Sequence, residues 1–224
     1  MPIPIQYLAE FEEEEVYHVY NRTNNKEALF ADDENRRFFL RKYKELLSPF
    51  VDSYCWCLLP NHFHLLVKVK MVDSIATYLQ SKPPALLTIT EKRFVESADR
   101  LKMIGELIEQ SFKRFFQSYA MSFNKQQQRS GNLFHKPFRR VKIMSDEQFT
   151  MAIIYIHANA VKHGLAKDMY SYPWSSWHTI VSTGPTKLLR EDVIKWFGGL
   201  NACIQTHNEL TRYYYQCDVA IEED

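Results

Sequence analysis

Two histidines that alternate with apolar residues in one predicted strand have the spacing of metal ligands. The segment 62–70 reads HFHLLVKVK. Period-two alternation places one set of side chains on a core face: Phe63, Leu65, Val67 and Val69. It places the other set on the opposite face: His62, His64, Leu66, Lys68 and Lys70. Two imidazoles at this spacing can reach one divalent cation through neutral ring nitrogens. Alone the pattern is weak, because hydrogen-bonded or solvent-exposed histidines fit it as well.

A tyrosine and an asparagine four residues apart lie on a second predicted element, a helix over 146–162. The apolar residues of this helix form a stripe that would dock on the sheet: Phe149, Ile153, Ile156 and Ala160. Tyr155 and Asn159 share a neighbouring line on the same helix. If the amide oxygen of Asn159 completed a site with the two histidines, Tyr155 would lie one helical turn from the metal. A tyrosine that only flanks the core is the alternative.

The remaining segments predict an α+β fold with an antiparallel sheet. β-Branched and aromatic residues predict strands near 16–21, 52–59, 62–69 and 138–143. Helices are expected over 32–47, 72–81, 99–124, 145–164 and 190–215, with Ser145 as N-cap and Gly164 as C-cap of the fourth. The segment 85–98 fits neither pattern clearly.

Several short motifs, taken in order, resemble the HUH single-tyrosine transposases, most strongly the branch of REP-associated tyrosine transposases. The motifs are YHVYNR at 17–22, LPNHFHLLV at 59–67, GNLFH at 131–135, YIHAN at 155–159 and VKHGL at 161–165. The resemblance covers about residues 15–178. It departs from the family at Ala160, where proline is common, and at 82–105, which is longer than the usual connection.

This resemblance implies a fold, a reaction and a set of site residues. The fold would be ferredoxin-like (RRM-like), with helices on one face of the sheet and a C-terminal helical extension. The transposase domain would span 1–184, with an insertion at 82–105, and the extension would span 185–224. His62, His64 and Asn159 would bind Mg²⁺ or Mn²⁺, and Tyr155 would be the nucleophile. The protein would cleave and rejoin single-stranded DNA through a 5′-phosphotyrosine intermediate, at hairpin-containing element ends.

The charge distribution predicts where DNA would bind. The whole chain carries 28 Lys and Arg against 27 Asp and Glu, but residues 110–144 contain no acidic residue. A basic segment within a neutral chain indicates a local anionic ligand. The expected DNA contacts are Arg22, Lys68, Arg114, Arg129, Phe134, His135, Arg139, Arg140 and Lys142. Phe134 and His135 would stack on bases, and the cations would bind phosphates.

Other classes of function fit the sequence less well. The chain has no apolar run of about 18 residues that would span a bilayer. Its first residues lack the pattern of a signal peptide, so we expect a cytoplasmic protein. A non-catalytic single-stranded nucleic-acid-binding module of RRM-like fold is the main alternative. A His-x-His-x-His phosphohydrolase would need a histidine at the position of Leu66. The family includes monomers and domain-swapped dimers, so a homodimer stays open.

Overall fold

A four-stranded antiparallel sheet forms the centre of the computed structural model, which describes residues 7–216. The strands are β1 (Val16–Arg22), β2 (Val51–Leu58), β3 (His62–Val69) and β4 (Arg139–Lys142). They lie in the order β2-β3-β1-β4, and each neighbouring pair is antiparallel. With one helix between β1 and β2 and three helices between β3 and β4, this strand order is the ferredoxin-like arrangement. The predicted α+β class is therefore confirmed.

The helices follow the predicted order, with differences at four places, the first of which is a short unpredicted helix at Trp177–Val181. They are α1 (Asp33–Leu46), α2 (Val72–Gln80), α3 (Ile89–Glu96), α4 (Ile104–Gln126), α5 (Asp146–Lys162), α6 (Trp177–Val181), α7 (Arg190–Trp196) and α8 (Leu200–Gln216). Helix α3 lies in the segment that the sequence leaves unassigned, and α4 begins later than predicted because Leu101–Met103 forms a 3-10 turn. The single helix predicted near 190–215 is divided into α7 and α8. Gly198 and Gly199 separate them, both with positive φ.

One face of the sheet, here called the α4 face, is covered by α1 and α4. It carries Tyr17, Val19, Phe63, Leu65 and Val67, which are all buried. Aromatic side chains pack against it from both helices. The ring centroids of Phe63 lie 5.1 Å from Phe39 of α1 and 5.6 Å from Phe116 of α4. This face is an ordinary apolar core, as the alternation in β3 predicts.

The opposite face, here called the α5 face, is also covered, which differs from the expectation of helices on one face. Leu66 of β3 and both Cys55 and Cys57 of β2 are fully buried there. They pack in one cluster with Ile153 and Ile156 of α5. Residues of α6, α7 and α8 complete this second core: Trp177, Ile180, Val193 and Cys203. The polar residues of β3 on this face therefore lie beneath a helical layer.

Helix α5 has defined ends that fix its length over the sheet. At its start the hydroxyl of Ser145 accepts the backbone N–H of Gln148. At its end Gly164 has φ +67°, and Leu165 N–H donates to the carbonyl of Ala160 at 2.8 Å. This is the Schellman pattern, so the predicted C-cap glycine is confirmed. Because position 160 is alanine rather than proline, the helix continues to Lys162.

The two segments that depart from the expected domain also form ordered elements. Residues 82–105 contribute α3 and short 3-10 turns, and α3 is held by a capping box between Thr88 and Glu91. Residues 185–216 contribute α7 and α8, while 217–224 of the predicted extension and 1–6 of the predicted domain lie outside the described residues. Within residues 7–216 no helix combines the length and the apolar character needed to cross a membrane.

Candidate active site

Strands β1 and β3 place four ring side chains together on the α5 face. Tyr20 pairs with His64 in the register of the sheet, and the ring centroids of these two residues are 5.7 Å apart. The ring of His18 lies 5.1 Å from that of His64, and the ring of His62 lies 5.2 Å from it. His62 and His64 thus lie on the same face, as the alternation predicts. His64 is fully buried and His62 is partly exposed.

Helix α5 adds a line of three residues at spacing i, i+4 and i+8 above these histidines. The ring of Tyr155 stands edge-on to His64, with centroids 5.6 Å apart, and also contacts His18 at 6.2 Å. At the other end of the line, His163 stands edge-on to His62 at 5.0 Å. Asn159 lies between Tyr155 and His163 on the helix. It therefore lies over the gap between the two histidines of β3.

The side chain of Asn159 is the most unusual polar group of this site. It is fully buried, and neither its amide oxygen nor its amide nitrogen has a hydrogen-bond partner in the structure. An unpaired buried amide costs about 1–3 kcal/mol. A cation bound by the amide oxygen would remove part of this cost.

The hydrogen bonds of the two strand histidines favour the ring nitrogens that a metal would need. Nδ1 of His62 lies 2.7 Å from Oδ1 of Asn61, an acceptor, so Nδ1 carries the proton and Nε2 the lone pair of the neutral ring. Nδ1 of His64 lies 2.9 Å from Nε2 of His18. When Nδ1 donates in that contact, His64 also presents an Nε2 lone pair. Such second-shell partners commonly orient metal-binding histidines.

The third ligand of such a site must be a group other than His, Cys, Asp or Glu. Within residues 7–216, no group of three or more of those side chains has an arrangement that could hold a metal ion. The oxygen of Asn159 is the group that the fold places beside His62 and His64. The amide oxygen and coordinated water suit Mn²⁺ or Mg²⁺, and the two imidazoles suit divalent transition metals more generally. Three protein ligands leave open positions for phosphate and water. These residues therefore fit a divalent cation.

The site reaches solvent at the C-terminal end of α5. Tyr155 is only 2% exposed, whereas Lys162 and His163 are exposed and His62 and Arg22 are partly exposed. The ammonium group of Lys162 lies 5.2 Å from the centre of the Tyr155 ring. An anionic substrate that enters from this end would meet a cation next to the tyrosine.

Three of the predicted DNA contacts lie near the C-terminal end of α5 or on the α5 face of the sheet: Arg22, His135 and Arg139. Arg139 of β4 pairs with Tyr20 in the sheet register, and its guanidinium lies 5.9 Å from the centre of that ring. Arg22 pairs with His62. Partial burial, with smaller contributions from the charges of Arg22 and Arg139, lowers the pKa of His135. The backbone N–H of His135 also donates to the carbonyl of Arg22 at 2.9 Å, so His135 lies beside this end of β1.

Other predicted DNA contacts are placed on the α4 face. Arg140 is 7% exposed, pairs with Glu109 at 2.6 Å and donates to the carbonyl of Ala9. Lys142 pairs with Glu12 at 2.7 Å. Alternation along β4 separates both residues from Arg139 and from the histidines. Their contacts are those of residues that hold the N-terminal segment and α4 to the sheet.

The last group of predicted contacts is separated from the histidines or already paired. Phe134 is 5% exposed and packs in the α4-face core, so its ring is not available to stack on a base. Arg114 pairs with Glu91, and Arg129 pairs with Glu27. Lys68 pairs with Glu14 at 2.6 Å near the far end of β3. Six residues of strand separate Lys68 from His62, which is about 20 Å.

Sequence reasoning missed three residues of the site: His18, Lys162 and His163. His18 and Tyr20 alternate in β1 as His62 and His64 do in β3, so a period-two reading of VYHVYNR would have placed His18 on the same face. His163 and Lys162 follow Tyr155 at i+8 and i+7. Continuing the helical spacing past Asn159 would have found both.

Comparisons with known proteins give one structural similarity. No protein-family model matches the chain, and neither does any curated protein. A solved structure described as a REP-associated tyrosine transposase bound to a REP hairpin is similar to it with a TM-score of 0.46 and 16% sequence identity. The match covers 79% of this chain and 84% of that chain.

Proposed function

We propose that this protein cleaves and rejoins single-stranded DNA, with Tyr155 as the nucleophile. The observation that carries the proposal is the position of Tyr155. Its ring packs edge-on against His64, and Asn159, with its unpaired amide, lies one helical turn away. A tyrosine in this position can attack a phosphodiester that the bound cation activates, and it then forms a covalent intermediate.

The proposed reaction conserves the energy of the phosphodiester bond. The phenol oxygen of Tyr155 attacks the phosphorus, and the bond between phosphorus and the 3′ oxygen breaks. The DNA keeps a free 3′ hydroxyl at one end and a 5′-phosphotyrosine at the other. The phenol loses its proton and the departing 3′ oxygen gains one. Attack by another 3′ hydroxyl on the phosphotyrosine reverses these changes and rejoins the strand.

Phenols with a pKa near 10 are weak nucleophiles at neutral pH, so Tyr155 needs assistance. We propose that Nε2 of His62, Nε2 of His64 and Oδ1 of Asn159 hold Mg²⁺ or Mn²⁺. When bound, the cation would polarise the scissile phosphate and offset the negative charge on its oxygens. Lys162 would add positive charge from the solvent side of the tyrosine ring.

The proposed substrate follows from the access to the site. Tyr155 lies on the sheet-facing side of α5 and is almost fully buried. Only an unstacked, unpaired DNA backbone that enters near His163 can therefore approach its hydroxyl. This approach would require local opening at the C-terminal end of α5. Arg22, Arg139 and His135 lie where they would bind the entering phosphates. Hairpin-bearing element ends remain the proposed form of the substrate.

The alternative of a non-catalytic RRM-like module is less well supported. Modules of that kind bind bases on an open sheet face that carries aromatic residues. In the described chain both faces of the sheet are covered, one by α1 and α4 and the other by α5 to α8. Bases therefore have no open sheet face on which to stack.

A covalent adduct assay tests the proposal. The protein is incubated with hairpin-bearing single-stranded oligonucleotides and Mn²⁺, and a denaturing gel separates protein linked to DNA. Tyr155→Phe should give no adduct and keep its fold, because only the hydroxyl is removed. Tyr20→Phe is the matched control, since Tyr20 lies in the same ring cluster, and it should still form the adduct. Peptide mapping of an adduct to any tyrosine other than Tyr155 would refute the mechanism.

A further inference from the structure

A chain of buried hydrogen bonds lies on the side of α5 opposite to Tyr155. His157 is fully buried, and its Nδ1 lies 3.0 Å from Nε2 of His207 in α8. Its Nε2 lies 3.0 Å from Oγ of Ser176, the residue before α6. Nδ1 of His207 in turn lies 2.8 Å from the carbonyl oxygen of Cys203. The proposed reaction uses none of these groups.

The carbonyl of Cys203 determines the direction of every hydrogen bond in this chain. The carbonyl of Cys203 only accepts, so Nδ1 of His207 carries a proton and Nε2 of the neutral ring accepts. His157 must then donate from Nδ1 and accept at Nε2, and the hydroxyl of Ser176 must donate to it. Burial lowers the pKa of His207 to about 4 and lowers that of His157 well below its usual value, so both rings are neutral at pH 7.

The chain connects α5 to two separate parts of the fold. Oγ of Ser176 also accepts the backbone N–H of Trp56 in β2 at 2.9 Å, and Ser176 N–H donates to the Trp56 carbonyl. The other end of the chain, His207, belongs to α8. The ring centroid of His207 lies 4.5 Å from that of Trp177 and 5.1 Å from that of Phe197. These apolar rings exclude water, which strengthens the hydrogen bonds and makes the loss of any partner costly.

We infer that His157 is a positioning residue for the proposed reaction, and that α8 belongs to the catalytic unit through His207. The apolar stripe of α5 determines which side of the helix faces the sheet, but it sets the rotation only to within the width of the stripe, because apolar contact is not directional. Hydrogen bonds are directional. His157 lies two residues from both Tyr155 and Asn159, about 200° around the helix. Its bonds to Ser176 and His207 therefore set the rotation that points those two side chains at His62 and His64.

Two substitutions of His207 in the full-length protein separate hydrogen bonding from filling of space. His207→Leu keeps an apolar volume but removes the acceptor for His157. His207→Gln places an amide oxygen near the position of Nε2 and restores that acceptor. Ser176→Ala removes the bond at the other end of His157 with a smaller change of volume, and it decides the question if His207→Leu fails to fold.

The inference rests on the proposed function, so each variant is measured in two ways. Adduct formation with a hairpin-bearing oligonucleotide and Mn²⁺ gives the rate at saturating DNA and the DNA concentration for half-maximal rate. Hydrogen–deuterium exchange of the backbone amides of residues 155–160 reports the packing of α5 without any reaction. If the wild-type protein forms no adduct, the proposed function fails, and the exchange data still decide whether the chain holds α5.

The expected result is a rate at saturating DNA at least tenfold lower in His207→Leu and Ser176→Ala, with half-saturation changed less than twofold. Exchange at 155–160 should be faster in both variants. His207→Gln should recover the rate to within about threefold of the wild type. A wild-type rate in His207→Leu, or a rate in His207→Gln as low as in His207→Leu, would overturn the inference.

Discussion

The two faces of the sheet are built from alternate residues of the same strands, yet they bury different chemistry. The α4 face buries aromatic and aliphatic side chains such as Phe63 and Leu65, which need no polar partners. The α5 face buries His18, His64 and Asn159 next to a tyrosine. Polar groups in this setting reduce stability unless they are bonded. A fold that needed only stability would therefore favour the chemistry of the α4 face on both sides, and this difference supports the proposed site on the α5 face.

Adjacent residues of β3 give the largest expected contrast between the faces. His62→Ala should lower adduct formation by about 100-fold or more, because a metal ligand is lost. The free energy of unfolding should change by less than about 1 kcal/mol, because His62 is partly exposed. Phe63→Ala should lower the free energy of unfolding by about 3–5 kcal/mol. Urea unfolding and Mn²⁺ binding to the free protein measure the two effects. Normal Mn²⁺ affinity in His62→Ala would remove His62 from the site.

The structure also shows why His62 is the better test than His64. His64 is fully buried and bonded to His18, so His64→Ala would leave a cavity and remove a buried hydrogen bond of His18. Loss of cleavage in that variant could come from either cause.

Adjacent arginines of β4 give the next contrast. Arg140 is buried against the rings of Phe11 and Phe138, pairs with Glu109 and donates to the carbonyl of Ala9. Arg140→Ala removes these contacts, although Glu109 keeps Lys113 as an ion-pair partner. The free energy of unfolding should fall by about 2 kcal/mol. Arg139→Ala should change it by less than about 1 kcal/mol. Equal losses in urea unfolding would contradict the assignment of the two side chains to opposite faces.

The local pattern of the sequence predicted features that depend on neighbouring residues, such as strand alternation and helix caps. It did not predict features that depend on contacts between distant residues, such as strand pairing and burial. Alternation in β3 and the caps of α5 are local, and the structure confirms both. Alternation also separates Arg139 from Arg140, but which of the two shares a face with the histidines depends on how β4 pairs with β1. The burial of Phe134 depends on a bridge to Thr23, more than 100 residues away.

The acid-free stretch shows the same limit for charge. Residues 110–144 contain no acid, but acidic residues elsewhere in the chain pair with five of their cations. The pairs are Lys113 and Arg140 with Glu109, Arg114 with Glu91, Arg129 with Glu27, and Lys142 with Glu12 and Glu15. Counting charge along the sequence therefore overestimates the charge available to DNA.

The pH dependence of stability tests the polar chemistry beneath α5. His207 faces His157 of α5 and the thiol of Cys203, and it is otherwise surrounded by Trp177 and Phe197. Its folded pKa of about 4 is below the usual value near 6.5, so the unfolded chain binds more protons between these pH values. Stability contributed by the neutral ring is present above pH 6.5 and is lost as pH falls towards 4.

Between pH 7 and pH 5 this loss is about 2 kcal/mol for one histidine. His207→Gln removes the titrating group, so its free energy of unfolding should fall about 2 kcal/mol less than that of the wild type over this range. Urea unfolding followed by circular dichroism at both pH values makes the comparison. Parallel curves for the two proteins would mean that His207 is not buried as a neutral ring.

The smallest expected contrast lies within the α5 face itself, between its two ends. Arg139 lies beside Tyr20, whereas Lys68 is paired with Glu14 about 20 Å of strand away from His62. Arg139→Ala should weaken binding of hairpin-bearing oligonucleotides several-fold and reduce the slope of log affinity against log salt by about one unit, as loss of one phosphate contact does. Lys68→Ala should leave the slope unchanged and the affinity within about twofold, because its charge is already offset by Glu14. Fluorescence anisotropy titrations at several salt concentrations measure both variants. A lower slope in Lys68→Ala would show that the DNA extends along the whole strand, and the entry path at the C-terminal end of α5 would then be wrong.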